Sequence, residues 1–187
     1  MYSAPTIANK YDLSVLFKVA TNIIPPFFKS LDDYPTNEWK KTIDVNLNAM
    51  FYITKHFLKL MLKTKNPVIL NTSSTYGKVS PNKSIYGNSG INAPIGYTAT
   101  KAGIIGFTKY IATHYGDRGL RANVLIPGGV ENKNQSKSFK KKYSQLTPLR
   151  RMAKQNEYKR AVLFLVSDES SYMTGSEFII DGGWTAW

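Results

Sequence analysis

The sequence predicts an α/β protein in which a parallel sheet is covered on both faces by helices. Three observations carry this prediction. Short apolar, partly β-branched runs alternate along the chain with longer stretches whose apolar residues recur at helical spacing. Each run closes in polar, proline or glycine residues that punctuate a turn. The length, 187 residues, suits one domain rather than two.

The first run, Asp12 to Ala20 (DLSVLFKVA), reads as a buried strand and ends near Asn22 in the proline-containing loop IIPPFFKSLDDYP. A helix follows from Thr36 to about Lys63, with Glu38 in its first turn, where the helix dipole favours an acid. Trp39, Ile43, Leu47, Met50, Phe51, Phe57, Leu58 and Met61 give this stretch its helical period. Pro67 to Leu70 is a short strand leading into the polar turn NTSSTYG. A Gly- and Asn-rich stretch, PNKSIYGNSGINAPIG, precedes a helix from Tyr97 to about Tyr115, which Gly116 is placed to close in the left-handed conformation. Ala122 to Ile126 is the next strand, stopped by Pro127-Gly128-Gly129. The basic stretch after it reads as a loop or mobile helix, Asn156 to Val166 as a helix, and Glu177 to Ile180 as the last strand before Asp181-Gly182-Gly183.

Composition excludes several function classes. With no cysteine there is no disulfide framework, thiolate nucleophile or cysteine-ligated metal. His56 and His114 stand alone on helices, so no metal site is expected. The apolar run Ala161 to Val166 is far short of the roughly 20 residues that span a bilayer, and the first residues lack a secretory pattern, so the expected location is the cytoplasm. The net charge of +13 is unevenly placed: residues 131 to 160 hold ten Lys or Arg against two acids, while the last 27 residues hold no Lys or Arg at all. Such a cluster reads either as a solvated face or as an attractor for an anion. Phe139, Tyr143 and Tyr158 within it are the residues that could stack on nucleic acid, but no nucleic-acid-binding motif accompanies them and no such partner is expected.

The candidate chemistry lies at the carboxyl ends of the strands, where open α/β sheets bind ligands. Of twelve tyrosines, Tyr97 alone has a lysine four residues on, Lys101, and the pair shares one helix face. A tyrosine acting as acid or base near neutrality must lower its usual pKa of about 10, and an adjacent ammonium does so by favouring phenolate. The same spacing also describes an ordinary surface helix pair. Ser74, just past a strand, can hydrogen-bond a reacting oxygen or simply its own turn backbone. Asn46, mid-helix in DVNL, is poorly placed by propensity and reads as an internal hydrogen-bonding residue or as the pin of a kink.

Five motifs, DVNLNAMF, VILNTSSTYG, YTATKAGIIGFTKYIA, LRANVLIPGGV and FLVSDESSYMTGSEFIIDGG, together and in this order resemble the short-chain dehydrogenase/reductase family. The resemblance implies a Rossmann-like three-layer αβα fold and an oxidoreductase using NAD or NADP on a hydroxyl or carbonyl group. It implies Tyr97 as catalytic acid/base, Lys101 as the residue that lowers its pKa and holds the nicotinamide ribose, Ser74 as the group orienting substrate oxygen, and Asn46 as holder of a proton-relaying water. Asn22, Pro127, Gly128, Gly129 and Val130 would meet the cofactor. Asn132 stands where the family carries a threonine. Ser74, Thr75, Tyr76 and Tyr86 would meet substrate. The 23-residue interval from Ser74 to Tyr97 is wider than the family's, and with the loop PGGVENKNQ and TPLRRM it looks like members of bacterial surface-sugar and sugar-acid pathways. Lys133 to Arg151 would then hold the carboxylate or phosphate of an anionic sugar. Helices 36–63 and 97–115 correspond to those through which the family assembles, so a homo-oligomer is expected.

One departure is large. All thirteen glycines lie at position 77 or later, so the family's glycine-rich pyrophosphate-binding turn has no counterpart here. The chain is therefore expected to be a single partial domain, 1–187, running from the family's fourth strand to its end. On that expectation it is either the catalytic part of an oxidoreductase or an inactive relative serving as an interaction subunit.

Overall fold

A computed structural model describes residues 14–18, 29–87 and 92–187. Four strands, β1 (Val15–Lys18), β2 (Val68–Thr72), β3 (Arg121–Pro127) and β4 (Glu177–Ile180), form one sheet in the order β1-β2-β3-β4. All three pairings are parallel, with Val15 opposite Val68, Val68 opposite Arg121 and Val124 opposite Glu177. Parallel neighbours require a crossover between each pair of strands, and the helical stretches predicted from periodicity supply it.

Side-chain alternation along β2 and β3 divides the core into two sides. Ile69, Ala122, Val124 and Ile126 pack with Met50, Met61, Ile104 and Ile111 from the helices α2 (Ala49–Met61) and α3 (Ile95–Tyr115). Leu70 and Leu125 face the other way, against Leu165 of α5 (Lys159–Val166). The result is the three-layer αβα arrangement expected from the sequence. No helix among the described residues is long and apolar enough to cross a membrane.

Several local expectations are corrected. The helix foreseen from Thr36 to Lys63 is α1 (Thr36–Ile43) and α2, joined by a π-helical turn at Asp44–Asn48. Gly116 is right-handed at φ −65°; a 3-10 turn carries the chain three residues further, and Gly119 at φ 81° makes the left-handed stop instead. Of the two readings of the basic stretch, loop or mobile helix, residues 137–146 take the second: α4 (Lys137–Leu146) starts at Ser136, whose hydroxyl accepts the Phe139 N–H at 3.1 Å. Phe139, Tyr143 and Leu146 then fall on one face of α4 and pack with Ile85, Met152 and Trp184. Of the first predicted strand, residues 12, 13, 19 and 20 lie outside the described residues, as does Asn22.

Candidate active site

Ser74 is held against α3 by its neighbours. The Ser73 N–H donates to the Leu125 carbonyl at 2.9 Å, extending the sheet by one bond, and the Ser73 hydroxyl donates to the Lys101 carbonyl at 2.7 Å. A Cβ on Gly77 would come within 2.8 Å of the Lys101 backbone, so glycine there lets the loop lie directly on α3. The Ser74 Oγ accepts the Tyr76 N–H at 3.2 Å, which is the turn bond expected of it. Its own hydrogen is still available to donate outward.

Lys101 is 2 % exposed, and its ammonium donates to the Thr72 carbonyl at 3.0 Å. That nitrogen lies 5.6 Å from the centre of the Tyr97 ring, so the i, i+4 pair does share one face and is not a surface pair. Burial lowers the lysine pKa to about 8, because the charged form loses its water. Asn46 is fully buried in the π turn. Its amide donates to the Thr100 hydroxyl at 3.2 Å, and that hydroxyl donates to the Tyr97 carbonyl at 2.9 Å. The turn that interrupts the helix thus ties Asn46 to the very turn of α3 that bears the tyrosine, in keeping with the habit of π bulges of sitting at functional sites.

A cavity of about 270 Å³ opens between these elements. Ser74, Thr75, Tyr76, Tyr86, Tyr97, Pro127, Gly128, Gly129 and Val130 all line it, so every sequence-predicted substrate contact and all of the proline–glycine loop converge there. Lys101 and Asn46 stand behind this wall rather than in it. Asn132 lines a separate cleft with Lys133, Lys140 and Lys154. Sequence reasoning missed Gln135, Phe139, Tyr143 and Met152 as lining residues. It also missed what holds the glycine loop: the Gly129 N–H donates to the Tyr143 hydroxyl at 2.6 Å, and the Tyr158 hydroxyl donates to the Gly128 carbonyl at 3.2 Å. Tyr143, 4 % exposed, stacks on Trp184 at 4.3 Å, so its ring packs inside the protein. The i, i+4, i+7 spacing of Phe139, Tyr143 and Leu146 was the available signal. Among the described residues no group of three or more His, Asp or Glu converges as a metal site.

The described residues fit the nicotinamide end of a dinucleotide. They offer a cavity walled by a phenol and a glycine loop, with a buried cation beneath the phenol. Nothing before Gly77 can form the glycine turn that a pyrophosphate needs.

The parallel αβα sheet brings Ser74, just past a strand end, together with Tyr97 and the buried Lys101 of α3, at the edge where open α/β sheets bind ligands. The chain belongs to the short-chain dehydrogenase/reductase family. A family model described as Enoyl-(Acyl carrier protein) reductase matches residues 7–185. The 3-oxoacyl-[acyl-carrier-protein] reductase FabG of Thermotoga maritima is 39 % identical over 150 residues, covering 78 % of this chain and 56 % of that protein. The 3-alpha-(or 20-beta)-hydroxysteroid dehydrogenase of Mycobacterium tuberculosis is 37 % identical over 157 residues, covering 84 % and 56 %. A crystal structure of a short chain dehydrogenase from Leptospira borgpetersenii with bound NAD+ superposes with a TM-score of 0.87 at 35 % identity, covering 97 % of this chain and 68 % of that one. The chain therefore spans a little over half the length of these two curated relatives.

Proposed function

We propose that this chain carries the catalytic half of an NAD- or NADP-dependent oxidoreductase that interconverts a hydroxyl and a carbonyl group on a small molecule. The observation that carries the reading is the convergence of Ser74 and Tyr97 on one cavity wall with the Lys101 ammonium buried 5.6 Å from the tyrosine ring. When bound, the nicotinamide supplies or accepts the hydride. The protein's own residues handle the oxygen. Ser74 donates a hydrogen bond to the substrate oxygen and fixes its orientation. Tyr97 gives that oxygen a proton during reduction and takes it back during oxidation. Lys101 favours the phenolate by its charge and reaches the nicotinamide ribose, while Asn46 holds the water through which protons reach Lys101. The glycine loop 127–130 forms the opposite wall, where the nicotinamide would lie.

Two narrower readings rest on other parts of the molecule. A homo-oligomer is supported by apolar side chains left exposed on the outer faces of the helices, among them Val45, Phe51, Tyr52 and Ile53 before and within α2, and Tyr110 on α3. An anionic sugar is supported by the cationic segment, whose Lys133, Lys140 and Lys154 line the open cleft beside loop 131–135. Location in the cytoplasm is consistent with the absence of cysteine.

The test is titration of the purified chain with NADH and NADPH, followed by nicotinamide fluorescence, together with turnover by Tyr97→Phe. Saturable binding of one cofactor is expected, with turnover falling about 100- to 10,000-fold in the variant while binding persists. A folded chain that binds neither cofactor would overturn the reading.

A further inference from the structure

The glycine loop 127–130 lines the cavity with one face and is tied down by the other. The Gly128 N–H donates to the Ile180 carbonyl at 2.8 Å, and the Gly129 carbonyl accepts the Ala153 N–H at 3.0 Å. Two phenols take the next pair of backbone groups: the Gly129 N–H donates to the Tyr143 hydroxyl at 2.6 Å, and the Tyr158 hydroxyl donates to the Gly128 carbonyl at 3.2 Å. Of the loop's N–H groups, that of Val130 alone meets no acceptor among the described residues. A Cβ on Gly129 would lie 2.6 Å from the Tyr143 ring, so glycine is what lets the loop reach that hydroxyl. Packing does not replace these bonds, because a second, smaller cavity of about 60 Å³ lies between Gly128, Gly129, Tyr143 and Tyr158. Burial pushes both phenols up to about 12, so Tyr158 keeps the proton it donates. Tyr143 belongs to a second wall as well. With Phe139, on which Tyr86 stacks at 5.9 Å, it forms the aromatic side that α4 turns to the larger cavity.

We propose that Tyr143 and Tyr158 are positioning residues: their hydroxyls hold the glycine loop in the conformation that receives the nicotinamide, and Tyr143 ties that loop to the aromatic wall of α4. The proposal rests on the oxidoreductase reading given above. Neither hydroxyl moves a proton to or from substrate. Both act through the loop, because a wall fixed before the ligand arrives spares the entropy of ordering it on binding. The two phenols come from separate elements, α4 and the 3-10 turn Gln155–Tyr158, and grip adjacent peptide units. One takes an N–H and the other a carbonyl, so together they fix the rotation of the loop as well as its place. Since Tyr143 stands in both walls, a shift of α4 carries the nicotinamide wall with it.

The test is Tyr143→Phe and Tyr158→Phe in the whole chain, each of which keeps the ring and removes the hydroxyl. Without cofactor, hydrogen exchange at the Gly129 amide, followed by NMR, should quicken about ten-fold in Tyr143→Phe. Titration with NADH and NADPH, read by nicotinamide fluorescence, should give a Kd raised about five- to ten-fold in each variant. Thr54→Val is the control for lost stability alone, since that hydroxyl meets Lys18 and Met50 rather than the loop, and its Kd should match that of the unaltered chain. Unchanged exchange at Gly129, an unchanged Kd in the two tyrosine variants, or an equal rise in Thr54→Val would overturn the proposal while leaving the oxidoreductase reading intact. An unaltered chain that binds neither cofactor would sink that reading and the proposal with it.

Discussion

Two lysines are buried on the same side of the sheet, and one of them lies behind the candidate site. Lys101 on α3 is 2 % exposed and Lys18 on β1 is 5 % exposed. Burial lowers each to a pKa of about 8. Each ammonium rests near an aromatic ring, Lys101 at 5.6 Å from Tyr97 and Lys18 at 5.4 Å from Phe107. Each also meets a backbone carbonyl, of Thr72 and of Met50. What separates them is the neighbour. Tyr97 carries a titratable hydroxyl and lines a cavity, whereas Phe107 has no proton to give and packs within the core. A buried lysine with a lowered pKa is therefore not a sign of catalysis; its placement beside a phenol at a strand end is.

The largest effect that separates the two is on turnover. Lys101→Met should lower kcat/KM about 100- to 1,000-fold and move the tyrosine limb of the pH–rate profile toward the ordinary value of about 10. Lys18→Met should change kcat/KM by less than about two-fold, since Lys18 is not among the described residues that line the cavity. Steady-state kinetics across pH on both variants reads this directly. Comparable losses in the two would erase the distinction.

Stability should reveal what the lysines share. Below pH 8 both folded and unfolded chains hold these protons, and the folded chain carries the full cost of two buried charges. Between pH 8 and the ordinary lysine value of 10.5 the unfolded chain binds more protons, so unfolding free energy rises with pH. Tyr143 and Tyr158, pushed up to about 12 by burial, act in the opposite sense, but only once unfolded tyrosines ionise near 10. Urea melts from pH 7 to 9.5 therefore isolate the lysines. Lys18→Met should stabilise the chain at pH 7 by about 1–3 kcal/mol and remove about half of the slope. A flat profile in the unaltered chain would show that the carbonyls and rings fully replace the lost water.

The same pair shows why part of the molecule was legible in the sequence and part was not. Tyr97, Lys101 and Ser74 announce themselves through local spacing, which a helix face and a strand end convert directly into geometry. Asn46 was visible as a misfit in a helix, and the π turn is how the backbone accommodates it. Lys18 gave no such signal. DLSVLFKVA reads as a buried strand, but nothing local shows what its lysine would meet, because its partners Thr54 and Met50 come from a helix more than thirty residues away. The aromatic wall was hidden differently. Its lysines left residues 137–146 readable as a loop or a mobile helix, and the period of Phe139, Tyr143 and Leu146 decides for the helix. The α-helix does end at Tyr115, as expected, but Gly116 stays right-handed because a 3-10 turn continues to Gly119, which no local rule shows.

The smallest expected effect tests how Lys18 is tolerated. The Thr54 hydroxyl accepts from the Lys18 ammonium and donates to the Met50 carbonyl at 2.7 Å, so it links the cation to the start of α2. Thr54→Val removes that acceptor and should cost about 1–2 kcal/mol, because a buried ammonium loses one of its neutral partners. In a Lys18→Met background the same change leaves no ammonium to strand, and the cost should fall to about 0.5 kcal/mol. Turnover should be unaffected in both. A cycle of urea melts on the four chains measures the coupling, and additive losses would mean that Thr54 supports the helix alone and that the ring of Phe107 carries the cation.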